Sequence, residues 1–159
     1  MSDQNAKKLN QLLNWFPDDA VVDAATLEER GYASNLRTKY LHSNWLSSPV
    51  RSVFMRPGSK LTWQSVVYSL QTLMSKDILV GGRTALELKG YSHYLEFSGE
   101  RTITLHADTP LPAWLTKLPG LNVRFEARRP DRLFGSGNIE AVCLAYRAAQ
   151  KAGGASLDV

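Results

Sequence analysis

The N-terminal third of the chain carries three short helical patterns in close succession, and few folds can be built on them. The first pattern stops at Pro17. Its apolar stripe consists of Leu9, Leu12, Leu13 and Phe16. A second helix is predicted over 24–30 behind the N-cap Asp23, and Gly31 supplies the turn before a third helix that begins at Ser34. Two helices joined by so short a glycine turn predict a helix-turn-helix.

The third helix leads into a predicted β-hairpin. Its buried stripe consists of Leu36, Tyr40 and Leu41, and its outer side consists of Asn35, Arg37, Thr38, Lys39 and His42. Two extended segments follow at 45–47 and 51–55, joined through Ser48 and Pro49. Three helices followed by a hairpin predict a winged helix-turn-helix, in which the third helix reads DNA and the hairpin forms the wing.

The outer side chains of the third helix suit the major groove of DNA. Arginine pairs with guanine and asparagine with adenine through two hydrogen bonds each, and Asn35, Arg37 and Thr38 are placed for such contacts. A wing needs a cation that reaches the DNA backbone or the minor groove, and Arg51 or Arg56 would supply it. The alternative is a winged helix that docks a protein instead of DNA, since a fold does not dictate a function.

Charge is distributed unevenly along the chain. The net charge is +4 and the pI is near 9.3, which by itself separates few classes of protein. No acidic residue lies between Glu29 and Asp77. This acid-free window contains Arg30, Arg37, Lys39, Arg51, Arg56, Lys60 and Lys76. A polyanion would be attracted here because phosphates that are neutralised release counterions. The alternative is a solvated basic face that only aids solubility.

A second region is predicted to follow the linker Pro57–Lys60. It begins with a helix capped by Thr62, whose buried face consists of Trp63, Val66, Val67, Leu70 and Leu73. Strands are predicted at 94–97, 103–107 and 122–128, and the apolar segment 78–80 is either a short strand or a turn. Helices are predicted at 84–89, after Pro112 and at 139–151. The fold class is therefore α+β, with a winged helix-turn-helix at 1–57, a mixed domain at 58–152 and a flexible tail at 153–159.

Side-chain alternation on strand 103–107 predicts which residues are buried. Ile103, Leu105 and Ala107 face inward, and Thr102, Thr104, His106 and Asp108 face outward. The four tryptophans, Trp15, Trp45, Trp63 and Trp114, each fall beside an apolar position and are predicted to be core residues.

Motifs for catalysis or metal binding are weak. Cys143 is the single cysteine, and with His93 or His106 and Asp108 it would form a nucleophile set. It lies, however, on the apolar stripe of a predicted helix, where a packed thiol is the ordinary interpretation. The histidines lack metal-ligand spacing, and the segment Gly81-Gly82-Arg83-Thr84 lacks the spacing of a phosphate-binding loop. We therefore expect no enzyme activity, no cofactor and no metal.

Several segments together resemble the AbiEi family, the abortive-infection antitoxins of type IV toxin–antitoxin systems. They follow one another over about residues 9–118: Ser43-Asn44-Trp45-Leu46, Val53-Phe54-Met55-Arg56-Pro57, Trp63, Leu70-Gln71, Gly81-Gly82-Arg83-Thr84-Ala85-Leu86-Glu87-Leu88, Gly90, His93-Tyr94-Leu95 and Leu111-Pro112-x-Trp114-Leu115. The run Gly-Gly-x-Thr-Ala-Leu, then Gly-x-x-His-Tyr, then Pro-x-Trp-Leu is specific in combination.

The chain departs from the family pattern in two ways. Asn44 replaces the glycine that usually precedes Trp-Leu, and asparagine tolerates the left-handed backbone conformation. Family members also usually continue further beyond the third strand, so we expect a short member or a fragment.

The resemblance implies a repressor that binds inverted repeats in its own promoter and a C-terminal region that counters a nucleotidyltransferase-like toxin, without direct contact being required. The DNA contacts carried onto this chain are Ser34, Asn35, Arg37, Thr38 and Lys39 on the third helix and Arg51 and Arg56 on the wing. Inverted repeats in double-stranded DNA call for a dimer or a cooperative pair of chains.

The expected location is the cytoplasm, since the sequence has neither a long apolar run nor the apolar core of a signal peptide. The alternative function is a protein-interaction antitoxin or adaptor whose winged helix does not bind DNA.

Overall fold

The computed structural model describes residues 3–82, 84–85 and 100–129, and these are folded as an α+β protein, which confirms the predicted class. The first elements are α1 (Asp3–Trp15), β1 (Val21–Asp23), α2 (Ala24–Glu29), α3 (Ser34–His42), β2 (Ser47–Val50) and β3 (Val53–Met55). The three strands form an antiparallel sheet in the order β1-β3-β2. This arrangement is consistent with a winged helix-turn-helix whose wing is the β2–β3 hairpin.

The ends of the helices follow from their capping residues. Asp23 Oδ1 accepts a hydrogen bond of 2.9 Å from the Thr26 amide at the start of α2. Gly31, with a φ of 84°, turns the chain after α2. The N-cap of α3 is Ala33 and not the predicted Ser34, and its side chain makes no capping bond. Asn44 has a φ of 56°, so it adopts the left-handed conformation that asparagine is expected to tolerate there.

The hairpin turn lies further along the chain than the sequence predicts. Arg51 and Ser52 form the turn between the paired residues Val50 and Val53, and Ser52 has a φ of 65°. Ser48 and Pro49 belong to β2, so the prediction that they form the turn is wrong. Because β2 is an edge strand of its sheet, proline there costs no ladder hydrogen bond.

Strand β1 is absent from the predicted elements. Its three residues pair with β3, with Val21 opposite Met55 and Asp23 opposite Val53. A strand this short has no alternation that periodicity can detect, and it forms only because β3 offers hydrogen-bonding partners.

The core of the N-terminal elements is apolar and continuous. Its fully buried large side chains include Leu12, Phe16, Leu27, Tyr40 and Leu46. Among the tryptophans, Trp63 is buried as predicted, Trp15 and Trp114 are half-buried, and Trp45 is 43% exposed. The prediction that Trp45 is a core residue is therefore wrong.

Helix α4 (Trp63–Tyr68) continues directly into a π-helical turn, Ser69–Leu73. Thr62 and Ser65 form a capping box at its start, which confirms the predicted cap. The Ser69 hydroxyl, fully buried, accepts a hydrogen bond of 3.0 Å from the Val21 amide. This bond joins the segment to β1.

The chain divides into two compact units. The N-terminal unit comprises residues up to Lys76 and also 117–121, and the C-terminal unit comprises the other described residues from Asp77 onward. Whereas the sequence predicts a boundary after residue 57, α4 belongs to the N-terminal unit.

In the C-terminal unit, β4 (Ile78–Val80) pairs antiparallel with β5 (Arg101–Ala107), and β6 (Val123–Arg128) pairs parallel with β5. Ile103, Leu105 and Ala107 are buried as predicted. The prediction that His106 faces outward is wrong: the residue is only 3% exposed, and its imidazole lies against the backbone of Gly81.

Several predicted features lie outside the described residues: strand 94–97, helix 139–151 with Cys143, the tail 153–159, Arg83 and His93. In the described part of the chain, no helix combines the length and the apolarity needed to cross a membrane.

Candidate nucleic-acid interface

One side of α3 is exposed along the whole helix, and we call it the outer face of α3. It consists of Ser34, Asn35, Thr38, Lys39 and His42. The Thr38 hydroxyl donates to the Ser34 carbonyl at 2.9 Å, and Asn35 Oδ1 accepts from the Leu36 amide at 2.8 Å. The amide nitrogen of Asn35 keeps its two donors, so this face presents hydrogen-bonding groups and the Lys39 ammonium to solvent.

Arg37 lies on the inner side of α3 and not on the outer face. It is 7% exposed, and its Nη1 donates to the Tyr32 carbonyl at 2.6 Å. The guanidinium also forms an ion pair of 3.4 Å with Glu28 and lies 5.9 Å from the ring centre of Phe54. The predicted outward orientation of Arg37 is wrong, because the side chain closes the α2–α3 turn.

The inner side of α3 therefore differs from the predicted stripe. Arg37 and Tyr40 are buried, whereas Leu36 and Leu41 are only half-buried. Arginine can take an inward position because its aliphatic stem packs while the guanidinium reaches a carbonyl and a carboxylate.

Arg51 is exposed at the tip of the wing, as a DNA-contacting residue requires. The neighbouring Ser52 carbonyl accepts a hydrogen bond of 2.9 Å from the Ala24 amide at the start of α2. The tip of the β2–β3 hairpin is thus tied by its backbone to the start of α2, while the Arg51 side chain is exposed.

Arg56 follows β3 at the opposite end of the hairpin from Arg51. It forms an ion pair of 2.6 Å with Asp18 and also donates to the Leu13 carbonyl. Its side chain is 22% exposed. These bonds fix the end of the wing to the connection between α1 and β1, so the structure does not bring Arg56 together with Arg51.

The acid-free window of the sequence is not free of acids in space. Glu28 and Asp18, which precede the window, pair with Arg37 and Arg56. Arg30 lies 3.9 Å from the ring centre of Trp15. Of the seven cations in the window, Lys39 and Arg51 are the two that are exposed and lie on α3 or the β2–β3 hairpin.

Buried phenols add no negative charge near α3. Burial raises the pKa of both Tyr32 and Tyr40, so both remain neutral at physiological pH.

Two of the four residues weighed for catalysis or metal binding, His106 and Asp108, are among the described residues. His106 is buried and Asp108 is exposed, so the two do not share the predicted outer face of β5. Across residues 3–82, 84–85 and 100–129, no group of three potential metal ligands comes together. Cys143 and His93 lie outside these ranges.

Sequence reasoning overlooked a lysine beside α3. Lys8 on α1 donates to the Gly31 carbonyl at 3.3 Å and lines a groove that it shares with Asn35 and Lys39. In the sequence, Lys8 is one polar residue of an amphipathic helix, and only the tertiary packing places it beside α3.

A protein-family model matches part of the chain. The sequence profile of a family described as a transcriptional regulator, the AbiEi antitoxin N-terminal domain, matches residues 5–97. The matched region begins within α1 and extends past β4, so it includes the outer face of α3 and the β2–β3 hairpin. No curated protein and no solved structure matches the chain.

Proposed function

Because the chain belongs to the AbiEi antitoxin N-terminal domain family of transcriptional regulators, we propose that it is a DNA-binding repressor and antitoxin of a type IV toxin–antitoxin operon. Its targets are inverted repeats in the promoter of its own operon. The observation that carries the proposal is the outer face of α3, which is exposed, polar and basic, and is flanked by a wing with Arg51 at its tip.

The outer face of α3 has the chemistry of a reading surface. Asn35 can make paired hydrogen bonds to adenine, and Thr38 can contact either a polar base edge or the thymine methyl group. Ser34 lies at the first position of the helix and is placed to reach a phosphate. Lys39 adds a positive charge one turn after Asn35.

Arg51 is the proposed wing contact. An arginine on a hairpin tip can reach the backbone or enter the narrow minor groove beside the site read by the helix. Arg37 and Arg56 have a different role in this proposal, because both are engaged by carbonyls and carboxylates of the same unit. They position α3 and the wing and do not contact DNA.

The remaining parts of the proposal concern partners and location. Two chains, as a dimer or a cooperative pair, would bind the two halves of an inverted repeat in double-stranded DNA. The chain acts in the cytoplasm against a nucleotidyltransferase-like toxin that it need not touch, and it has no catalytic role.

A second candidate is favoured by Trp45. Trp45, three residues after the end of α3, is exposed, and tryptophan is enriched on surfaces that bind another protein. In that case the chain would be an adaptor or protein-binding antitoxin that does not bind DNA. A titration with duplex DNA separates the two candidates.

We expect Lys39→Ala and Arg51→Ala each to weaken binding to a duplex of the promoter and to a scrambled duplex by similar factors. Each variant should lower the slope of log affinity against log salt by about 0.9 for a lost phosphate contact. Fluorescence anisotropy at several salt concentrations measures both quantities.

Lys60→Ala is the matched control, since Lys60 is an exposed cation of the acid-free window that lies on neither α3 nor the wing. It should leave the slope unchanged. If the wild-type chain binds neither duplex at low salt, the proposal fails and the adaptor candidate takes its place.

A further inference from the structure

The groove between α1 and α3 has a volume of about 320 Å³ and lies within the N-terminal unit. Gln4, Asn5 and Lys8 line it from α1, Asn35 and Lys39 line it from α3, and Gly31 contributes from the turn between α2 and α3. Asn35 and Lys39 also belong to the outer face of α3. The groove is therefore continuous with the surface proposed to read DNA.

The lining of the groove is suited to an anion. It contains two ammonium groups and three side-chain amides, and no carboxylate is among its lining residues. It also contains no aromatic side chain on which a base could stack. These properties fit a phosphate group better than a nucleobase or an apolar peptide.

Lys8 is held in place and still has donors to offer. Its Nζ donates to the Gly31 carbonyl at 3.3 Å, which directs the side chain from α1 toward the α2–α3 turn. An ammonium group carries three donors and this contact uses one of them, so two remain for a phosphate. Since Gly31 precedes α3 by three residues, the ammonium lies beside the start of that helix.

We propose that this groove receives a phosphate of the DNA backbone and that Lys8 is a further DNA-contacting residue. The inference rests on the proposed function and extends it, because α1 then adds a third contact element to α3 and the wing. DNA of every sequence has the same backbone phosphates. Lys8 would therefore anchor α3 on DNA and fix its register without reading bases.

The test compares Lys8→Ala with Lys7→Ala in the full chain. Lys7 is exposed on the same helix but does not line the groove. With promoter and scrambled duplexes, Lys8→Ala should lower the salt slope by about 0.9 and weaken both affinities by similar factors, while Lys7→Ala should match the wild type. Lys8→Arg keeps the charge and should restore most of the lost slope.

The outcomes separate this inference from the function on which it rests. If the wild type binds DNA, Lys39→Ala weakens binding and Lys8→Ala has the wild-type slope, then the groove proposal is overturned and the proposed function stands. Equal losses for Lys7→Ala and Lys8→Ala also overturn it, because they indicate a general charge effect. If the wild type binds no duplex, both proposals fail. Thermal unfolding of each variant verifies that the fold is intact.

Discussion

Arg37→Ala is expected to lower the free energy of unfolding by about 3 kcal/mol. The substitution leaves the Tyr32 carbonyl without its donor, removes the guanidinium from the ring of Phe54 and opens a gap under α3. Loss of the ion pair adds little, because the Glu28 side chain is 67% exposed and remains solvated. Urea denaturation followed by circular dichroism measures the change.

Lys39→Ala is the control for Arg37→Ala, since it removes a cation from the exposed side of the same helix and should change stability by less than about 0.5 kcal/mol. The opposite pattern would contradict the structure. If Arg37→Ala kept the wild-type stability and selectively lost promoter binding, Arg37 would point outward and read DNA, as the sequence alone predicts.

Gly81→Ala is expected to destabilise the C-terminal unit by about 3 kcal/mol. A methyl group at this position would lie 2.0 Å from Cδ2 and 2.1 Å from Nε2 of His106. His106 is only 3% exposed, so the imidazole can move away only if the residues packed around it also shift. If the backbone moved instead to relieve the clash, the hydrogen bond of 3.0 Å from the Gly81 amide to the Thr104 carbonyl would be strained.

A double-mutant cycle with His106→Ala tests the cause. If the clash is responsible, Gly81→Ala should cost much less in the His106→Ala background than in the wild type, and the free energies of unfolding should be non-additive. If the two free-energy costs are additive, the short distance between position 81 and His106 is not the cause. The backbone conformation at Gly81 would then be what disfavours alanine there.

Local signals in the sequence were sufficient for most of the helices. Asp23 and Thr62 both form their predicted caps, and the Leu12 and Phe16 stripe is buried as its period requires. Each of these features depends on residues within one or two turns of each other. Periodicity and capping therefore located α1, α2 and α4.

Features that depend on tertiary contacts could not be read from the sequence. The helical period allows either Leu36 or Arg37 to face inward. Arg37 is the buried residue because its guanidinium binds the Tyr32 carbonyl and Glu28. Strand β1 requires its partner β3, and His106 is buried against Gly81, which lies 25 positions earlier in the chain.

The candidate site was accordingly predictable only in part. The exposed positions of α3 follow from the helical period, whereas Arg51, predicted at the start of a strand, lies in the hairpin turn. The engagement of Arg37 and Arg56 by other residues does not follow from the sequence pattern, because Glu28 and Asp18 lie 9 and 38 positions away in the chain. The charge count of the acid-free window therefore overestimates the number of cations that are available to bind DNA.

A titration of the isotope-labelled full chain with a promoter duplex, followed by amide NMR, tests the central claim most directly. We expect the amides of 34–39 and of Arg51 and Ser52 to shift or broaden, while those of β5 and β6 keep their positions. Bound DNA that leaves 34–39 and the wing tip unchanged would contradict the assignment of the outer face of α3 and Arg51 as the DNA-binding surface.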